Sequence, residues 1–299
     1  MSDSLTTIVP IALFFVLGIG LGRTGLASRR DGEFLLRFIF FVCLPALVLV
    51  TVSGADLPAG KILLPVAAAI TSLVGLTLAR LYGARLGLAP DRLGAVALSA
   101  MILNTAFCIP FILAGYGEAG LTDLVLFDLG NSFMVTLVAF PLAYRFGGQD
   151  AHLRAAFRRA LTSPLTWALP IALILNATNT ALPRLVHGFV APLGSLIGPL
   201  ILIALGILFT PSRQHLGLVT TTVALRMVGG LVFGTTLAAL FGLSGDTRLV
   251  VIIGAASPIG FTALTFSSLA SLDSDMAARA VSASLLIGIV AVPLAVALT

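Results

Sequence analysis

LNTAFCIP, residues 103–110, places Asn104 and Pro110 inside an apolar run, 93–115, that is otherwise long enough to cross a membrane. GAASPIGF, residues 254–261, places Ser257 and Pro258 in a second such run in the other half of the chain. A proline carries no backbone N–H and crowds the turn before it, so each run reads as a broken helix. In a bilayer, a backbone N–H or C=O without a partner costs several kcal/mol. Such breaks therefore survive where they line a cavity inside protein, and paired breaks in two half-repeats mark the binding site of a carrier.

The rest of the chain has a matching composition. Of 299 residues, 59% are hydrophobic and 10% charged, with mean hydropathy +1.13; a soluble domain carries about a quarter charged residues. Runs of about 17–25 apolar residues occur at 5–22, 34–53, 62–81, 93–115, 121–144, 164–181, 190–209, 216–241, 249–269 and 276–298, so ten transmembrane helices are expected. The first run follows acidic Asp3 and reads as a span, not a cleavable signal. The connections are short.

The formal charge of +5 is not gathered into a patch, which argues against a nucleic-acid partner. Loops after odd-numbered spans hold thirteen basic residues, including Arg80, Arg85, Arg92 and Arg145, against three on the other face: Lys61, Arg184 and Arg248. The positive-inside rule then makes the protein a multi-pass cell-membrane protein with both termini extracytoplasmic. Cys43 and Cys108 both fall inside spans, with no metal-ligand spacing, and read as small buried residues.

The prolines repeat. Pro10-Ile11-Ala12-Leu13 returns as Pro170-Ile171-Ala172-Leu173, 160 residues on, and Pro141-Leu142-Ala143 as Pro293-Leu294-Ala295, 152 on. Pro45 and Pro199 are 154 apart, and Pro110 and Pro258 are 148 apart. Pro65 has no counterpart in span eight. Four pairs in order suggest two five-helix repeats, 1–145 and 162–299, joined by a cytoplasmic linker, 146–161. Because five is odd, the second copy is inverted, which suits alternating access.

The breaks set out the candidate chemistry. Helix N-termini present free N–H groups to an anion, and C-termini present carbonyls to a cation. Asn104 has donor and acceptor atoms for stranded backbone or for a ligand; Ser257 can do the same or bond its own helix. In span five, Asp128-Leu129-Gly130-Asn131-Ser132 puts an acid about two turns into the membrane. Asp128 is a candidate to carry a proton, coordinate a cation or hold the broken helix, and Asn131 to join it. Arg226 has two readings. A span beginning near Leu216 buries its guanidinium, whereas polar Thr220, Thr221 and Thr222 favour a later start and an interfacial anchor. An enzyme is the rival class, but His152, His187 and His215 lie in or beside loops, and HExxH and GxSxG patterns are missing from the sequence. A channel or a membrane sensor also uses irregular backbone, and the repeat favours a carrier over both.

NTAFCIP followed by FILAGYGEAG (104–120), FDLGN (127–131) and AASPIGFTALTF (255–266) resemble the two crossovers and the intervening span of the auxin efflux carrier family. The resemblance implies ten helices in two inverted repeats, with broken helices four and nine crossing between a scaffold and an elevator-type transport domain. It also implies export or uptake of a small organic carboxylate, including malonate-type diacids in bacteria and auxin in plants, and often a homodimer. Membrane lipids surround the chain, no cofactor is expected, and a proton or sodium ion is the candidate coupling ion. Carried over by position, Asn104, Pro110 and Pro258 are the crossover residues; Ser257, Asn131 and Asp128 stand beside them. Ile259 follows Pro258 where plant members carry a polar residue, and the long plant loop is missing, which points toward a bacterial-type member of an inner membrane. The bile acid–sodium symporters share this architecture and are the alternative, although acidic sodium ligands are sparse.

Overall fold

The structure, a computed structural model, describes residues 2–55, 59–148, 164–210 and 216–298. Most of the expected linker, with Arg154, Arg158 and Arg159, lies outside these, as do His152, Arg213 and His215.

The described chain is helical, and among its residues the only strand-like feature is one isolated bridge. The first half contains α1 (Ser2–Arg23), α2 (Arg29–Phe38), α3 (Leu44–Ser53), α4 (Leu63–Arg85), α5 (Pro90–Met101), α6 (Thr105–Met134) and α7 (Phe140–Phe146). The second contains α8 (Pro164–Ala177), α9 (Arg184–Ser195), α10 (Ile197–Ile207), α11 (Leu216–Leu240), α12 (Gly245–Ala255), α13 (Phe261–Leu269) and α14 (Ser274–Ala297). Among the described residues, six continuous helical stretches are long and apolar enough to cross a membrane. The chain is a multi-pass membrane protein.

The element ends follow local chemistry. Pro45 sits in the first turn of α3, where its missing N–H costs nothing, and a π turn, Ile39–Cys43, links it to α2. A second π turn, Val135–Ala139, precedes Pro141 in α7. Gly117, at φ 62° and ψ −159°, splits α6 into 105–116 and 118–134, because glycine tolerates a backbone that other residues resist.

The extensive packings fall into two sets. α1, α2, α3, α8, α9 and α10 pack among themselves, and α4, α5, α6, α11, α12, α13 and α14 do likewise. Between the sets, α6 meets α10, α1 and α3, and α14 meets α1. Small residues permit the tightest approaches. A Cβ on Gly18 would overlap the Ile203 carbonyl oxygen, and one on Gly206 the Phe15 carbonyl oxygen, so α1 and α10 touch backbone to backbone. Gly75 of α4 lies in the same way against the Ala100 carbonyl of α5, and Gly230 of α11 against the Ala255 carbonyl of α12.

Two expectations need correcting. The first break lies at 102–104, not at Pro110, and α6 runs through Pro110. Asn104 caps α6, so the helix restarts before the proline, which then forfeits one bond in the second turn. Arg226 is not an interfacial anchor. α11 begins at Leu216, the threonines do not delay it, and Arg226 is fully buried near its middle. Thr221 and Thr222 return their hydroxyls to Gly217 and Leu218 carbonyls one turn back, which keeps them compatible with a buried helix.

Candidate functional site: a braced crossing beside a cavity

α5 ends at Met101 and α12 at Ala255, and the two breaks lie against each other. Leu103 and Ile259 form an antiparallel bridge. Asn104 N–H donates to the Pro258 carbonyl at 3.0 Å, and Gly260 N–H donates to the Ile102 carbonyl at 3.0 Å. Backbone groups stranded by one break are thus met by the other, which satisfies the requirement a membrane interior imposes.

Side chains complete the brace. Asn104 Oδ1 accepts from Phe107 N–H at 3.2 Å, capping α6, and its Nδ2 donates across the crossing to the Ile259 carbonyl at 3.3 Å. Asn131 Oδ1 accepts from Leu103 N–H at 3.2 Å; its Nδ2 donates to the Leu103 carbonyl at 3.4 Å and to Asp128 Oδ1 at 2.8 Å. The Asp128 carboxylate also accepts from the Thr105 hydroxyl and, at 3.3 Å, from that of Ser132. In the second break, Ile259 N–H donates to Ser284 Oγ at 3.0 Å, and that hydroxyl donates to the Val281 carbonyl at 2.8 Å. Arg226 Nε donates to the Ser257 carbonyl at 3.2 Å and its Nη2 to that of Ala255.

This is complementary electrostatics. A carboxylate stands at the N-terminus of α6 and a guanidinium at the C-terminal carbonyls of α12, each opposite to the partial charge of its helix end. Of the residues expected at the site, Asn104, Asn131, Asp128, Ser257 and Pro258 are gathered here, mostly engaged with backbone. Ser257 is fully buried, and its hydroxyl has no partner among the described residues. Arg226, Thr105 and Ser284 belong to the brace, and sequence reasoning did not place them in it. Ser284 stands 153 residues after Asn131, a register that could have found it.

Pro110 is elsewhere. It lines a cavity of about 620 Å³ together with Leu47, Val50, Ile109, Leu113 and Pro199, where α6 meets α3 and α10. A second cavity of about 340 Å³, lined by Thr51, Lys61, Glu118 and Thr122 among others, shares Val50, Thr51 and Glu118 with the first. At its edge Lys61 Nζ lies 2.8 Å from Asp123 Oδ1, and Asp123 Oδ2 accepts from the Thr247 hydroxyl at 2.5 Å. Asp123 is thereby buried as one member of an ion pair, bonding the start of α12 to α6. Among the described residues, no three His, Cys, Asp or Glu side chains converge as a metal site.

Comparison with known proteins places the chain among membrane transporters. The chain is 26% identical over 299 residues to an uncharacterized transporter of Methanothermobacter thermautotrophicus, covering 97% of each chain. It is 25% identical over 267 residues to another uncharacterized transporter, from Methanocaldococcus jannaschii, covering 86% of each. The profile of the family described as membrane transport protein, the auxin efflux carrier family, matches residues 3–296, so this chain belongs to that family of transporters.

Proposed function

We propose that the protein is a secondary carrier for a small organic anion, operating by alternating access of the elevator type. The observation that carries this reading is the cavity beside the crossing, bounded by α6 on one side and by α3 and α10 on the other. A boundary between two separately packed sets of helices is where sliding exposes a site alternately to each face. On this reading α1, α2, α3, α8, α9 and α10 form the scaffold. The set containing both breaks moves, and its internal hydrogen bonds let the breaks travel as one unit.

The same proposal includes ten spans in two inverted repeats, 1–145 and 162–299. Equivalent contacts support it. Arg92, third residue of α5, pairs with Asp273 before α14 at 2.9 Å, and Thr247, third residue of α12, bonds Asp123 of α6. Leu103 N–H is met by Asn131, and Ile259 N–H by Ser284. Gly75 lies on the Ala100 carbonyl, and Gly230 on that of Ala255. Each break thus has partners of the same kind in the same order, although their spacings are not identical. The distribution of basic residues supports extracytoplasmic termini, and the family resemblance supports a homodimer in a bacterial inner membrane.

In the proposed mechanism the crossing holds shape and Pro110 and Ile109 face the substrate. Asn104 and Pro258 fix where that wall begins. Asp128, with its three donors, is a support residue, not the carrier of a coupling proton; an Asp128→Asn protein should keep the pH profile of transport, and a changed profile would restore the proton role. The carrier itself is tested in proteoliposomes by counterflow of labelled small carboxylates, with and without imposed proton or sodium gradients. Saturable counterflow is expected, and the gradient that drives accumulation names the coupling ion. Single-channel current without counterflow would make the protein a channel.

A further inference from the structure

We infer that the hydrogen bond from the Thr210 N–H to Ser282 Oγ is a latch. It ties the two sets of helices together near the cytoplasmic face while the cavity between them is open to the other side. The inference rests on the carrier reading and names a contact that holds one of its two states. Three observations lead to it.

The first is where the bond lies. α10 stops at Ile207, and the N–H groups of Leu208 and Phe209 still return to the Ala204 and Gly206 carbonyls. Thr210 precedes Pro211 in the sequence, which disfavours a helical backbone there. Its N–H leaves the helix and donates to Ser282 Oγ at 3.1 Å. Thr210 follows α10 of one set, and Ser282 belongs to α14 of the set that holds both breaks. This bond therefore crosses the boundary at which sliding takes place. Ser282 is only 3% exposed, so water does not readily take its place, and an N–H stranded inside a membrane is costly.

The second is what stands at the equivalent place in the other half. The offset of 154 that relates Pro45 to Pro199 also relates Gly54 and Ala55, after α3, to Leu208 and Phe209, after α10. Gly54 and Ala55 line the smaller cavity, facing Glu118 and Thr122 of α6. Asn131 and Ser284 already match α6 with α14. The same junction between the sets is thus hydrogen-bonded in one half and parted by a cavity in the other. Inverted repeats put the two junctions on opposite faces of the membrane. Contact at one face and an opening at the other is the form of a carrier resting in one of its two states.

The third is direction. Lys61, Glu118 and His187 line the cavities and lie in the connections after spans two, four and six. Thr210 follows span seven, on the side that carries most of the basic residues. The positive-inside rule puts the cavities toward the outer face and the bond toward the cytoplasm. A contact made in one state and not in the other shifts the balance between them by what it is worth.

The test reads both faces. Cys43 and Cys108 are replaced by alanine, and Ala114→Cys, on the α6 wall of the cavity, supplies a single thiol. A membrane-impermeant maleimide is offered to spheroplasts and to inverted vesicles, and the ratio of outer to inner labelling rates reports the balance of states. Labelling should be faster from outside. Ser282→Ala removes the acceptor and should lower the ratio about fivefold, the worth of one hydrogen bond. Thr210→Pro removes the donor and should do the same. Thr210→Ala keeps the backbone N–H and should leave the ratio where it was.

An unchanged ratio in folded Ser282→Ala, with the thiol reached from both faces, would overturn the latch and leave the carrier standing. A raised ratio would put the bond in the opposite state and overturn the latch too. A thiol labelled from one face alone in every variant would sink the carrier reading, and the latch with it. Should Ser282→Ala not fold, Thr210→Pro decides by the same ratio.

Discussion

Asn131 satisfies three groups with one amide: the N–H and C=O of Leu103, and the carboxylate of Asp128. Asn131→Leu has similar bulk and none of the bonds, so it strands buried polar groups costing about 1–3 kcal/mol each. A marked fall in the melting temperature of detergent-solubilised protein is expected, and unchanged melting would remove Asn131 from the brace. Arg226→Lys is the companion case. An ammonium is a point charge without the guanidinium fork. It should reach only one of the Ala255 and Ser257 carbonyls, at a cost of about 1–3 kcal/mol in the same assay. Asp128 and Asn131 were legible in the sequence because polar residues in an apolar run have few innocent uses. Arg226 was not, since its role depends on where α11 begins, and an apolar helix tolerates threonines that bond their own preceding turn.

At the scale of elements, the breaks were legible in existence and not in position. Proline marked a discontinuity near residue 110, but the residue that starts α6 is Asn104, because its side chain caps the helix. The pairing of the two breaks through Leu103 and Ile259 is tertiary, and neither segment alone encodes it. Close helix contacts give the prediction here. Gly75→Ala and Gly230→Ala each drive a methyl into the backbone of the next helix, at the end that leads into a break. Overpacking costs about 1–3 kcal/mol, and either variant should melt lower than wild type. Gly20→Ala, where a Cβ meets open space, should not. Equal behaviour of all three would mean that these approaches do not hold the breaks.

Across the whole molecule, hydrophobic runs and the alternation of basic loops were enough to read a polytopic membrane protein, since the bilayer allows a long chain few alternatives. The division into two packed sets was not readable from hydrophobicity, because apolar faces look alike toward lipid and toward protein; only the family resemblance implied it. One long-range tie within the set that holds both breaks has a pH signature. At Asp273, burial pushes the carboxyl upward, but the Met276 N–H and the Arg92 guanidinium outweigh it and hold the group below its ordinary range. Its folded value is depressed, so its contribution to stability is present above the unfolded value of about 3.9 and lost as pH falls through the folded one. Arg92→Met should therefore lower melting temperature at pH 7 and flatten its fall in acid; an unaltered acid limb would assign that fall to other carboxylates. Elevator transport requires one set of helices to slide past the other at the cavity. A Cβ on Gly198 of α10 would lie 3.4 Å from Cβ of Pro110 in α6, close to disulfide reach. Counterflow should be measured for a protein with Pro110→Cys and Gly198→Cys and both native cysteines replaced, oxidised and then reduced. Transport is expected when reduced, with arrest when oxidised and recovery with reductant. Full transport through the cross-linked protein would contradict elevator transport.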